Sequence, residues 1–217
     1  MNPSAIDADG LMHATPVRRL FDRPGWTFEH ALDGLRALAR RGGDHVDLIS
    51  QNGRPIAVQF PEVVSALKRL DGKWVLDGEL VVSDEHGRPS PELVRRRGAM
   101  KVNGSIVAAS RAMPATIFVF DLLLQDGDDL RRRPLSERRA RLAELVETQP
   151  RMQLVGSLPE HGIALFEQTC AMDFEGIVGK DLTSMYRAGT HPTWIKVKNP
   201  RYSRADAAAL RNAHAGE

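Results

Sequence analysis

An α+β fold is what this sequence predicts, and three observations carry it. Strand-like and helix-like runs are intermixed along 217 residues without strict strand–helix–strand alternation. Hydrophobic residues make up 42% of the chain, enough for a packed core, and no internal repeat or low-complexity linker divides it. Turn signals such as Asn52-Gly53 and the Gly87–Pro89 stretch separate the runs.

The elements follow in order. Residues 1–15 are small and polar and are expected to be poorly ordered. "WTFEHAL" (26–32) reads as a strand, and Asp33-Gly34 is a bend. "LRALARR" (35–41) either continues the strand or starts a helix, and "HVDLIS" (45–50) is strand-like. "FPEVVSALKRL" (60–70) has apolar residues at helical spacing, with Pro61 in its first turn. "WVLDGELVV" (74–82) reads as two β runs broken at Asp77-Gly78. "ATIFVFDLLLQ" (115–125) is a buried strand followed by a loop. "LSERRARLAELVETQ" (135–149) is the clearest helix, with Ser136 as its expected cap and Leu135, Leu142, Leu145 and Val146 on one side. Then come a strand at 152–158, a helix at 162–172, and strands at 174–182 and 193–199.

Bulk properties exclude little. The net charge of +2 and pI near 8.9 are compatible with nucleic acid but do not point to it. The runs Arg95–Arg97 and Arg131–Arg133 read first as solvated faces. The lone cysteine, Cys170, excludes an internal disulfide, fits a reducing cytoplasm, and sits in a pattern expected to be core. No apolar run is long enough to cross a membrane as a helix, so a cytoplasmic location and no membrane partner are expected.

Chemistry concentrates in five stretches: "EHALDGLR", "LDGEL", "FVFDLL", "EGIVGK" and "WIKVK". Each alone is weak. Together they supply acids suited to a metal (Glu79, Glu175), cations suited to phosphates (Lys180, Lys196, Lys198) and an aromatic able to stack on a base (Phe120). Lys196 and Lys198 are two apart on a strand, so both project from one face and repel unless an anion lies between them. These features describe a nucleoside triphosphate site without a Gly-rich phosphate loop.

In order and spacing these motifs resemble the covalent nucleotidyltransferases, and within them the adenylation domain of bacterial ATP-dependent DNA ligases of the end-joining type. That family's first motif is Lys-x-Asp-Gly-x-Arg with a Glu two residues earlier. Here the positions hold Glu29, Ala31, Asp33, Gly34 and Arg36. The other matches are "LDGEL" (76–80), "FDLL" (120–123), "EGIVGK" (175–180) and "WIKVK" (194–198), and the likeness covers roughly residues 16–200. The resemblance implies antiparallel sheets flanked by helices around a nucleotide cleft. It implies an adenylation domain over 16–200 and a short helical tail at 201–217, with no OB-fold domain after it.

It also implies roles. Glu29 and Phe120 would hold adenine; Arg36 and Glu79 would meet ribose or the nick. Lys180, Lys196 and Lys198 would bind the α-phosphate and pyrophosphate. Glu79 and Glu175 would place Mg²⁺ or Mn²⁺. Asp33 would organise the turn, and Trp194 would pack rather than stack on a base. The cofactor would be ATP, carried as AMP. The partner would be nicked or broken double-stranded DNA in repair and recombination, together with end-joining proteins or a separate polypeptide replacing the OB domain.

Two departures bear on activity. The family's nucleophilic lysine forms a phosphoramidate with AMP; Ala31 has no amine and cannot. Gln51 stands where the family carries an arginine that contacts phosphate. A deliberate replacement and natural divergence both account for Ala31: the intact remainder of the motifs fits the first, Gln51 the second. The implied function is an ATP-dependent DNA ligase unable to self-adenylate. The alternatives are a natural pseudo-ligase that binds nucleotide or DNA ends, and an RNA ligase or capping-type nucleotidyltransferase.

Overall fold

Leu35, Ala37 and Ala39 alternate with Arg36, Leu38 and Arg40, a period of two that suits a strand with two different faces. That pattern recurs through the computed structural model, which describes residues 1–146 and 149–204. Its elements are β1 (Met12–Pro16), β2 (Trp26–Ala31), β3 (Leu35–Arg41), β4 (Val46–Ser50), α1 (Pro61–Leu67), β5 (Trp74–Val82), α2 (Pro91–Gly98) and α3 (Asn103–Ala112). They continue with β6 (Ala115–Gln125), β7 (Asp128–Asp129), α4 (Leu135–Leu145), β8 (Met152–Leu154), β9 (Ser157–Pro159), α5 (Gly162–Ala171), β10 (Gly176–Asp181) and β11 (Gly189–Lys198). The chain forms two units. The larger holds residues 1–13, 33–155 and 183–190; the smaller holds 14–32, 156–182 and the described residues from His191 on.

In the larger unit the strands run β4-β3-β5-β6-β7, antiparallel, and β8 joins β6 in parallel. One face sinks Ala37, Ala39, Leu76, Leu80, Ile117 and Val119 into a core closed by Val63 and Leu67 of α1 and Leu142 of α4. Two arginines are fully buried in this unit. Arg138 of α4 reaches both oxygens of Asp121 at 2.7 and 2.8 Å and donates to the Arg133 and Ser184 carbonyls. Arg97 of α2 pairs with Glu62 at 2.9 Å and donates to the Gln59, Ala109 and Met113 carbonyls. One planar fork thus satisfies several buried acceptors at once.

In the smaller unit the strand order is β1-β11-β10-β2-β9. One face packs Trp26, Phe28, Ile177 and Ile195 against Leu165 of α5. Between Glu29 and Ala31, His30 points the other way and meets the Thr169 hydroxyl at 3.0 Å, which ties β2 to α5.

The fold class is α+β, as expected, but several local expectations are corrected. Residues 35–41, open between strand and helix in the sequence, are a strand, because β4 and β5 pair with both edges of β3. Residues 74–82 form one unbroken strand; the Asp77-Gly78 signal marks a register shift against β6 instead. Residues 1–15 carry two 3₁₀ turns and most of β1, because Ile6, Leu11 and Met12 are buried. Ser136 is not the cap of α4, which starts at Leu135 after Pro134. Cys170 is only half-buried. The 152–158 run is two short strands rather than one. Arg97 is not on a solvated face. The helical tail expected at 201–217 lies, from 205 on, outside the described residues.

Removing Arg138 should be costly, because Asp121 would be left buried and unpaired. Arg138→Ala is expected to lose about 3–5 kcal/mol in urea denaturation. Arg138→Met combined with Asp121→Leu should recover most of that loss. A single variant near wild-type stability would show that the pair is not a buried charge problem.

Candidate functional site

Strand register determines which side chains share a face. Across β2, β10 and β11 three rows form: Ala31–Gly176–Lys198, Glu29–Val178–Lys196 and Thr27–Lys180–Trp194. Residues opposite each other in antiparallel strands project to the same side. The face away from the α5 core therefore carries Glu29, Ala31, Lys180, Trp194, Lys196 and Lys198 together.

These groups are not equivalent. The Lys180 ammonium lies 2.6 Å from a Glu29 carboxylate oxygen, and both residues are almost wholly buried. The same ammonium sits 4.4 Å from the centre of the Trp194 ring, a cation–π contact. Lys180, which the resemblance assigns to phosphates, is paired with Glu29 in the structure. Trp194 packs, as its pattern suggested, with its face on Lys180. Lys196 approaches the two oxygens of Glu175 at 2.8 and 2.9 Å and is about one-third exposed. Lys198 is exposed. Ala31 offers only a buried methyl, opposite Gly176. Gly176 itself has φ +155°, and a Cβ there would collide with the Val197 carbonyl. That row therefore has a bare centre between position 31 and Lys198.

The other expected residues lie in the larger unit. Arg36 directs Nε and Nη2 to Asp77 at 3.1 and 2.7 Å and Nη2 to the Met12 carbonyl at 2.6 Å. The Tyr186 hydroxyl donates to Asp77 at 2.7 Å and accepts from the Met12 amide at 3.0 Å. Burial works against the Arg36 charge, but the Asp77 carboxylate outweighs it and holds the guanidinium above its ordinary range. Burial, with help from Asp77, pushes the Tyr186 phenol well up, so it stays a donor. The Arg36 guanidinium lies over the Phe120 ring, 5.5 Å from its centre. Glu79 stands beside Gly34: a Cβ there would fall 2.8 Å from Glu79 Cγ and collide with the Leu80 carbonyl. Asp33 precedes this bend and is part-buried. Gln51 is exposed, and its amide donates to the Arg36 carbonyl at 3.1 Å.

Sequence reasoning missed Asp77 and Tyr186 as the partners that immobilise Arg36. The signal available was an acid two residues before Glu79 on the same strand face. Among the described residues no three acidic, histidine or cysteine side chains form a group that could hold a metal. Glu175 is already tied to Lys196. A divalent ion at a nucleotide site is commonly held by one or two carboxylates together with substrate phosphates, so Glu79 and Glu175 remain the acids that the resemblance assigns to it.

Two outcomes follow for the smaller unit. Lys180→Met should destabilise the protein by about 3–5 kcal/mol by stranding the Glu29 carboxylate, and adding Glu29→Gln should restore much of it. Additive losses in that double-mutant cycle would show the pair to be uncoupled. Burial also lowers the pKa of His30 below 6.5. The folded state then resists protonation, so stability is full above pH 6.5 and falls as pH drops through the folded value. His30→Gln should flatten that part of the stability–pH curve; an unchanged slope would assign it elsewhere.

A family model described as the ATP dependent DNA ligase domain matches residues 12–198. The multifunctional non-homologous end joining protein LigD of Pseudomonas aeruginosa is 35% identical over 180 residues, which are 81% of this chain and 20% of that protein. A probable DNA ligase of Streptomyces avermitilis is 36% identical over 177 residues, 78% of this chain and 34% of that one. The chain thus spans about a fifth to a third of the length of these curated relatives. Among solved structures, a mycobacterial DNA ligase D complexed with ATP and MES superposes with TM-score 0.72 at 29% identity, covering 87% of this chain and 60% of that one. The ligase domain of M. tuberculosis LigD gives TM-score 0.70 at 27% identity, covering 87% and 59%. By its motifs, its fold and these matches, the chain belongs to the ATP-dependent DNA ligase domain family.

Proposed function

We propose that this chain binds ATP or AMP non-covalently and recognises nicked or broken duplex DNA, without forming an enzyme–AMP bond of its own. The observation that carries this reading is the Ala31–Gly176–Lys198 row: the position expected to supply an amine presents a methyl, while the rest of the face keeps its charges. Glu29, held by Lys180, and Phe120 would contact adenine. Arg36 and Glu79 would face ribose or the nick. Lys196 and Lys198 would take the α-phosphate and pyrophosphate. Lys180 would orient Glu29 through their ion pair and lie beside the phosphates with Lys196 and Lys198.

Removing the amine does not remove the binding determinants. A cation at position 31 would repel Lys198 across Gly176, so alanine lowers the cost of keeping the face charged. The family relation and the end-joining name of one relative support a DNA strand break as the substrate class. The ATP carried by one structural neighbour supports adenine nucleotide as the ligand.

With α-labelled ATP and Mg²⁺ or Mn²⁺, denaturing electrophoresis should show no labelled chain, and Ala31→Lys should restore the label. A stable label on the unaltered chain would mean that another lysine serves as nucleophile. Calorimetry should detect ATP binding that weakens by about 1.5–3 kcal/mol in Lys198→Ala and by about 1–3 kcal/mol in Phe120→Ala. No binding at millimolar ATP would overturn the reading. A pre-adenylated nick, which needs no lysine nucleophile, should be sealed slowly. If such nicks stay open while nicked duplex binds more tightly than intact duplex, the chain is a recognition module.

A further inference from the structure

The run Arg131–Arg133 reads in sequence as a solvated face, yet two of its members line a cleft. The cleft lies in the larger unit, encloses about 480 Å³, and has Asp129, Arg131, Arg132, Met185, Tyr186 and Arg187 among its walls. Asp129 starts it: its carboxylate caps the 3₁₀ turn Leu130–Arg132 by accepting the Arg131 amide at 3.1 Å. The same carboxylate accepts Arg131 Nε at 2.9 Å and Nη2 at 2.7 Å. Those bonds from Arg131, with a smaller pull from the Arg132 charge, hold the Asp129 carboxyl below the usual range, so it is charged and accepts hydrogen bonds from Arg131. The Arg131 carbonyl then accepts the Tyr186 amide at 2.8 Å, which draws the 183–190 segment onto the turn and places Arg187 at the cleft with Arg132.

The charge balance is uneven. Three guanidinium groups and one carboxylate line the cleft, and Arg132 and Arg187 are exposed. Like charges gathered in one concavity repel unless an anion enters. Guanidinium forks match phosphate oxygens two at a time. A single free anion gains little from exposed arginines, since salt screens each pair. A polyanion presents one charge per about 1.7 Å and gains further from counterion release. Half-exposed Met185 adds an apolar contact suited to a sugar.

We propose that this cleft is a docking site for the phosphodiester backbone of duplex DNA, with Arg132 and Arg187 as its phosphate contacts. The proposal rests on the DNA-binding part of the function above and gives it a place on the molecule. One of the cleft's lining residues, Tyr186, also holds Asp77, which in turn holds Arg36, so a strand seated there lies near that cluster.

Fluorescence anisotropy with a labelled nicked duplex tests this over a salt series. Arg132→Ala/Arg187→Ala should weaken binding tenfold or more at low salt. It should also make the slope of log K against log salt shallower by roughly 1.8, two phosphates' worth. Its melting temperature should match the wild type, since both side chains are exposed. Arg95→Ala/Arg96→Ala removes the same charge from α2 and should change the slope little. Equal losses in the two double variants, or none in the first, overturn the cleft and leave nucleotide binding, measured by calorimetry, untouched. A wild type that binds no duplex overturns the cleft together with the DNA half of the proposed function. A phosphate- or pyrophosphate-induced rise in melting temperature that depends on Arg132 and Arg187, without any change in DNA affinity, would reassign the cleft to a free anion and overturn the backbone reading.

Discussion

Strand β10, running antiparallel between β2 and β11, is the constraint on which the candidate site depends. A shift of one residue in either pairing would turn that strand's site residues to the opposite face. The register is held by packing on the other side, where Trp26, Phe28, Ile177 and Ile195 close on α5. It is also held by Gly176, which has no room for a side chain against β11 and adopts a φ that other residues rarely take. The charged face is thus positioned by the apolar one.

Charge is handled the same way in both units. Glu29–Lys180, Arg36–Asp77, Glu62–Arg97 and Asp121–Arg138 each put at least one charged side chain in nearly complete burial. Such pairs add little net stability, because desolvation cancels much of the attraction. What they supply is geometry. Arg36 cannot swing away from Asp77 while Tyr186 and the Met12 carbonyl also hold the cluster, and Glu29 cannot leave Lys180 without exposing an uncompensated charge. A ligand meeting these groups meets them already oriented, so less ordering remains at the moment of binding.

The strands of the site were legible because alternation is a local property. "WIKVK" puts two lysines on one side whatever the partner strand is, and "LRALARR" resolves as a strand once its period of two is taken over its helix-forming composition. Partnership was not legible. Nothing near Lys180 in the chain indicates Glu29, which lies 151 positions earlier and reaches it only through β10 pairing with β2. Helices α2 and α3 were invisible for a different reason. Few of their apolar side chains are buried, Pro91 and Val94 in one and Ile106 and Ala109 in the other, so no stripe announces them. Arg97 completes that region as a core residue, and a charged residue type in a run of three carries no sign of burial.

Alanine at position 31 changes the electrostatics of the face. Two strand spacings separate position 31 from Lys198, about 9.5 Å between backbones, with Gly176 offering no side chain between them. A lysine at a site as buried as Ala31 would be driven toward its neutral, nucleophilic form by desolvation and by that neighbouring cation. The environment that would activate an amine is therefore present around a residue that has none. With a methyl there, the same surroundings carry no such tension: Lys196 is balanced by Glu175 and Lys180 by Glu29. Lys198 remains exposed to meet an anion. With Ala31 at its centre, the face keeps two internally paired lysines and one exposed lysine, and among the described residues no unpaired charge is buried in it.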